Sequence, residues 1–115
     1  MKHLFIIAIF IFAFAAHGKC QHLQDTIRVA FENEKMKVTD YTSTPGKDIC
    51  GIGKHSHPAH LTICVTDAIT TVTTPDGKVQ DYSLKAGTTF WSGPVTHIAI
   101  NNGDKPAQVY LVELK

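Results

Sequence analysis

The sequence predicts an all-β protein built as a small sandwich or barrel. Short runs rich in β-branched residues recur at roughly ten-residue intervals, the spacing of compact antiparallel folds. Strong turn signals such as Pro75-Asp76-Gly77 and Asn102-Gly103-Asp104 separate them. No window beyond the first twenty residues carries the 3.6-residue period of an amphipathic helix. Eight or nine short strands are expected.

Taken in order, residues 21–26 are polar and read as a loose arm, and residues 27–31 form a β-prone run closed by Glu32-Asn33-Glu34. Met36, Val38 and Asp40 alternate with Lys37, Thr39 and Tyr41, which predicts a half-exposed strand. Thr44-Pro45-Gly46-Lys47 is a turn, with proline suited to its second position and glycine supplying positive φ. Residues 61–66 (LTICVT) are apolar and β-branched enough for a buried strand, and residues 69–74 (ITTVTT) are again strand-like. Further strands are expected over residues 79–84, 88–91, 95–100 and 107–114. Edge strands rich in β-branched residues, the closing segment 109–114 among them, predict a homodimer by sheet extension.

The first residues are set apart by composition. A short positive start, Met1-Lys2-His3, precedes an unbroken apolar run over residues 4–16, followed by the small residues Ala16 and Gly18. This is the pattern of a secretory signal peptide over residues 1–18, and the run is short for a membrane span. Lys19 stands before Cys20 where a lipidated cysteine needs a small residue, so lipidation is not expected. The expected organisation is a signal over residues 1–18, an arm and first strand over 19–35, and a barrel domain over 36–115. The protein is then expected to be periplasmic or secreted, without stable membrane insertion after cleavage. The net charge of +1 and the lack of a basic run argue against a nucleic-acid partner. Export permits disulfides, and Cys50 with Cys64 would bracket the segment between them, leaving Cys20 over. The alternatives are three reduced cysteines, or one thiol beside a metal.

Chemistry concentrates in residues 50–66, CGIGKHSHPAHLTICVT, which hold three of the seven histidines. On an extended strand His55 and His57 leave the same face, roughly 7 Å apart. Two imidazoles so placed can share one ion if a third ligand arrives from elsewhere, and His97 is the candidate, facing them across a barrel lumen. Three neutral imidazoles suit iron, manganese, zinc, nickel or copper. His60 reads either as a surface histidine beside a turn or, if Pro58-Ala59 bends the chain, as a group that reaches the metal or lines the rim as a base near neutral pH. Asn101 is better suited to bonding backbone than substrate, while Trp91 and Phe90 read as core or as a pocket wall. His3, His17 and His22 carry no expected role. No Ser/His/Asp set, phosphate loop or paired-carboxylate arrangement is present.

These residues resemble the cupin superfamily. Its first motif is a glycine-rich lead, then His-x-His, then a glutamate; its second begins at a glycine and ends in a histidine followed by an asparagine. His55-Ser56-His57 matches the first, and Gly87, His97 and Asn101 match the ends of the second, with Trp91 and Pro94 between. The resemblance covers about residues 36–115 and implies a jelly-roll β-barrel with a metal at its wide end. Two departures stand out. The glutamate is absent, its place falling at Leu61 and Thr62, and the proline of the second motif is shifted by one residue, in Gly93-Pro94-Val95. A neutral three-histidine set leaves an ion's charge uncompensated and favours an anionic fourth ligand: hydroxide, a carboxylate or a thiolate. The resemblance to three-histidine cupins of the thiol dioxygenase type implies that the loss does not abolish activity. Two functions are expected in competition. One is an exported metal-binding cupin, dioxygenase-like if it is an enzyme, acting on a small anionic molecule. The other is a non-catalytic cupin that binds a small molecule or a metal.

Overall fold

The computed structural model describes residues 25–115. The predicted signal, Cys20 and His22 lie outside them. The described chain contains nine strands and no helix. They are β1 (Thr26–Glu32), β2 (Met36–Ser43), β3 (His55–His57), β4 (His60–Cys64), β5 (Ala68–Thr73), β6 (Val79–Leu84), β7 (Thr89–Ser92), β8 (Val95–Asn101) and β9 (Ala107–Leu114). Each predicted strand is found to within a residue or two, and the fold class is the expected all-β barrel of jelly-roll type. The turn at Pro45-Gly46 has the positive φ that glycine was expected to supply, at 82°.

Two antiparallel sheets form the walls: β1-β2-β9-β4-β7 and β3-β8-β5-β6. Side-chain alternation directs one row of each strand inward. On β9 that row is Ala107, Val109, Leu111 and Glu113, and on β4 it is His60, Thr62 and Cys64. Apolar members of these rows, with Ile49, Ala68 and Ala99, make the small core. β9 lies between β2 and β4, bonded to both, so it is not the edge strand expected from its composition. Its pairing groups are used on both sides, and sheet extension would have to use another strand.

The topology also corrects how His97 meets His55. They do not face one another across the lumen. β3 and β8 are neighbours in one sheet, and their register sets His55 directly opposite His97.

Candidate metal centre

Four side chains converge at the end of the barrel where β3 and β8 pair: Cys50, His55, His57 and His97. Their donor atoms all lie within 4.8 Å of one another. Local structure explains each placement. His55 and His57 leave one face of β3, and cross-strand pairing brings the His97 ring to 4.8 Å from that of His55. Cys50 arrives on an irregular segment hydrogen-bonded along β8, through Gly46 N to Asn101 O and Ile49 N to Ala99 O. Gly51 then lets the chain pass close against a ligand, since a Cβ there would stand 2.7 Å from the His55 ring.

Hydrogen bonds fix the orientation of two imidazoles. His55 Nδ1 donates to the Gly53 carbonyl at 2.8 Å, leaving Nε2 as the lone-pair nitrogen. His57 Nδ1 donates to Glu113 Oε1 at 2.8 Å, and Lys37 stands 3.6 Å from the other carboxylate oxygen. His57 Nε2 is then a buried acceptor with no hydrogen-bond partner. An orphaned buried acceptor is costly and rare, and a cation on that lone pair would satisfy it. Carboxylate to histidine to metal is the usual support for such a ligand.

The donor spacing also fits an ion. Cys50 Sγ lies 3.4 Å from both His55 Nε2 and His97 Nε2. Four-coordinate geometry with ordinary metal–sulfur and metal–nitrogen bonds sets sulfur and nitrogen roughly 3.5 Å apart. Burial favours the neutral form of two of these rings. Burial, then the neighbouring His55, His57 and His60 imidazoles, pulls His97 down to about 4. Burial also lowers His57, against the opposing pull of Glu113. The Cys50 thiol is pushed up to about 12 by burial and by Asp48 and Glu113, the direction a nearby cation would reverse.

The three expected histidines therefore meet, and the fourth donor is Cys50. Of the readings the sequence leaves open, Cys50 and Cys64 are free thiols here and not the possible disulfide: Cys50 stands in the histidine cluster, whereas Cys64 faces inward from β4. His60 is buried at 3 % exposure, with its ring 5.1 Å from that of His57, so it is neither a surface group nor one of the four donors. Asn101 bonds backbone at Ser43, Lys105 and Gly103, outside the cluster. Trp91 points to solvent, whereas Phe90 walls the barrel cavity. Glu113 escaped the sequence reading, although it continues the inward row of Val109 and Leu111 on β9. The first motif lacks its carboxylate, yet a carboxylate reaches the site from the other end of the chain, holding a ligand from behind.

Comparison with solved structures agrees with this architecture. A cupin domain from Bordetella pertussis is 26 % identical, with a TM-score of 0.71 over 79 % of this chain and 93 % of that one. An RmlC-like cupin family protein with a double-stranded β-helix fold from Methanocaldococcus jannaschii shares 15 % identity and a TM-score of 0.63, over 96 % of this chain and 92 % of that one. A double-stranded β-helix protein from Klebsiella pneumoniae gives 24 % and 0.60, over 78 % and 76 %. No family model and no curated protein matches the sequence. In fold and motifs this protein is similar to the small single-domain cupins, and its His/Cys cluster could hold a metal.

Proposed function

We propose that this chain is an exported metal-binding cupin in which His55, His57, His97 and Cys50 hold one divalent first-row transition ion beside a small-molecule cavity. The observation that carries this reading is the orphaned His57 Nε2, buried within a cluster whose other donors stand at coordination spacing. Imidazole with thiolate suits zinc, iron, copper or nickel better than manganese. Cys50 supplies the anionic ligand that three neutral histidines call for. Export rests on the leader pattern of residues 1–18.

Cys50 and His97 border the cavity as well as the cluster, so a molecule in the barrel lies against the donor set. A bound ion would supply Lewis-acid or redox chemistry there, and oxygen-dependent oxidation of a small substrate is the reaction class of this reading. The protein's own part is to hold the four donors together and to wall the space beside them mainly with apolar side chains. The second reading is a non-catalytic metal or small-molecule cupin. It is favoured by the count of four protein donors, which closes a tetrahedral site.

The test is cobalt(II) substitution followed by absorption spectroscopy. The proposal predicts a sulfur-to-metal charge-transfer band that is missing in Cys50→Ser. Cobalt binding without that band would remove Cys50 from the set. Oxygen uptake by the iron-loaded protein with candidate substrates separates the two readings.

A further inference from the structure

The barrel interior is not filled. A cavity of about 560 Å³ lies between the sheets, within the range of small-molecule sites, roughly 300–1,000 Å³. Its walls are mainly apolar, with Val72 and Leu84 from one sheet and Phe90, Val109 and Leu111 from the other. Among the described residues, no Lys, Arg, Asp or Glu lines it. The polar groups it offers are hydroxyls, the Cys50 and His97 wall of the cluster, and His60.

His60 is set up as an acceptor. Its Nδ1 donates to the Pro58 carbonyl at 2.7 Å, which leaves the lone pair on Nε2, and Nε2 has no hydrogen-bond partner among the described residues. The ring is held on the inward row of β4 and borders the cavity. A charged molecule entering this space would lose its hydration without meeting a Lys, Arg, Asp or Glu side chain on the wall, a heavy penalty. An apolar molecule gains from burial, and one hydroxyl on it can donate to His60.

We propose that the cavity takes a neutral, largely apolar small molecule bearing a hydroxyl, with His60 Nε2 accepting that hydroxyl's hydrogen bond. This deepens the metal-centre reading and rests on it in one respect: Cys50 as a thiolate offsets one of the ion's two charges, the part an anionic ligand would otherwise play. The anionic ligand expected from sequence answered a charge that the thiolate now halves. Specificity in this cavity comes from shape and from the hydrogen bond at His60, with hydroxyls elsewhere on the wall.

The experiment uses three probes of one shape: 1-naphthol, naphthalene and 1-naphthoate, titrated by NMR into the metal-free and zinc-treated protein at neutral pH. 1-Naphthol is expected to shift cavity residues in both forms and to bind at least about tenfold more tightly than 1-naphthoate. His60→Phe should weaken 1-naphthol by about fivefold and leave naphthalene unchanged. Preference for 1-naphthoate, or no shift at cavity residues with any probe, would overturn the inference. If His60→Phe does not fold, the ranking of the three probes on the native protein still decides. Zinc uptake without 1-naphthol binding removes this inference and leaves the metal reading standing. 1-Naphthol binding by a protein that takes up no metal supports the cavity and removes the metal reading.

Discussion

Asn101 and His57 are both buried polar side chains, one at each end of the inner surface, and they are treated in opposite ways. Asn101 is fully enclosed and nearly saturated: its amide donates to the Ser43 and Lys105 carbonyls and accepts from Gly103 N. His57 is held by one bond to Glu113 and keeps a buried nitrogen with no partner. A polar group that the protein satisfies by itself is architecture. A polar group that the protein orients and then leaves open calls for a partner outside the chain. Both residues lie at motif positions of the resemblance, so only their hydrogen bonds tell them apart.

The largest effect expected from this contrast is on stability at Asn101. Asn101→Ala strands three backbone groups and should cost about 2–4 kcal/mol, seen as a drop in thermal midpoint of at least about 8 °C, with metal stoichiometry unchanged in the folded protein. Lost metal at full stability would reverse the assignment. At the other end, Glu113→Gln should weaken metal affinity about 10- to 100-fold in a competition titration while moving the midpoint little. Equal affinity would deny Glu113 a positioning role. Gly51→Ala drives a Cβ into the His55 ring and should weaken metal binding on the order of tenfold, toward the lower end of such effects.

Acid sharpens the same comparison. His97 and His57 have folded pKa values below their unfolded ones, so the unfolded chain binds more protons between about 6.5 and 4. The stability they contribute is present above the unfolded value and is lost as pH falls through this window. The thermal midpoint of chelator-treated protein should therefore fall from pH 6.5 to 4. A midpoint that rises over that range would show that burial does not hold these rings neutral. The smallest effect is expected at Lys37, half-exposed beside Glu113, where Lys37→Ala should change stability by less than about 1 kcal/mol.

Much of this was legible in the chain. Alternation and turn residues located the strands, and the His55/His57 spacing placed two ligands on one face, because both signals are local. Pairing is not local. The β-branched composition of β9 reads as an edge, and only its bonds to β2 and β4 show an interior strand. His97 is identifiable from sequence as the third candidate ligand, but its position beside His55, in the same sheet, depends on β3–β8 register. Cys50 reads as half of a disulfide, as a plain reduced thiol or as a thiol near a metal, and only the path of the 46–49 segment along β8 shows it beside the histidines. Glu113 lies 56 residues from His57, with no motif to join them.

The central claim is that the cluster is a metal centre. It is tested most directly by elemental analysis of the protein purified without chelator and without a polyhistidine tag, beside His97→Ala. The account predicts about one equivalent of a single first-row ion in the native protein, lost in the variant while the fold is retained. Less than about a tenth of an equivalent in the native protein, even after reconstitution, would contradict it.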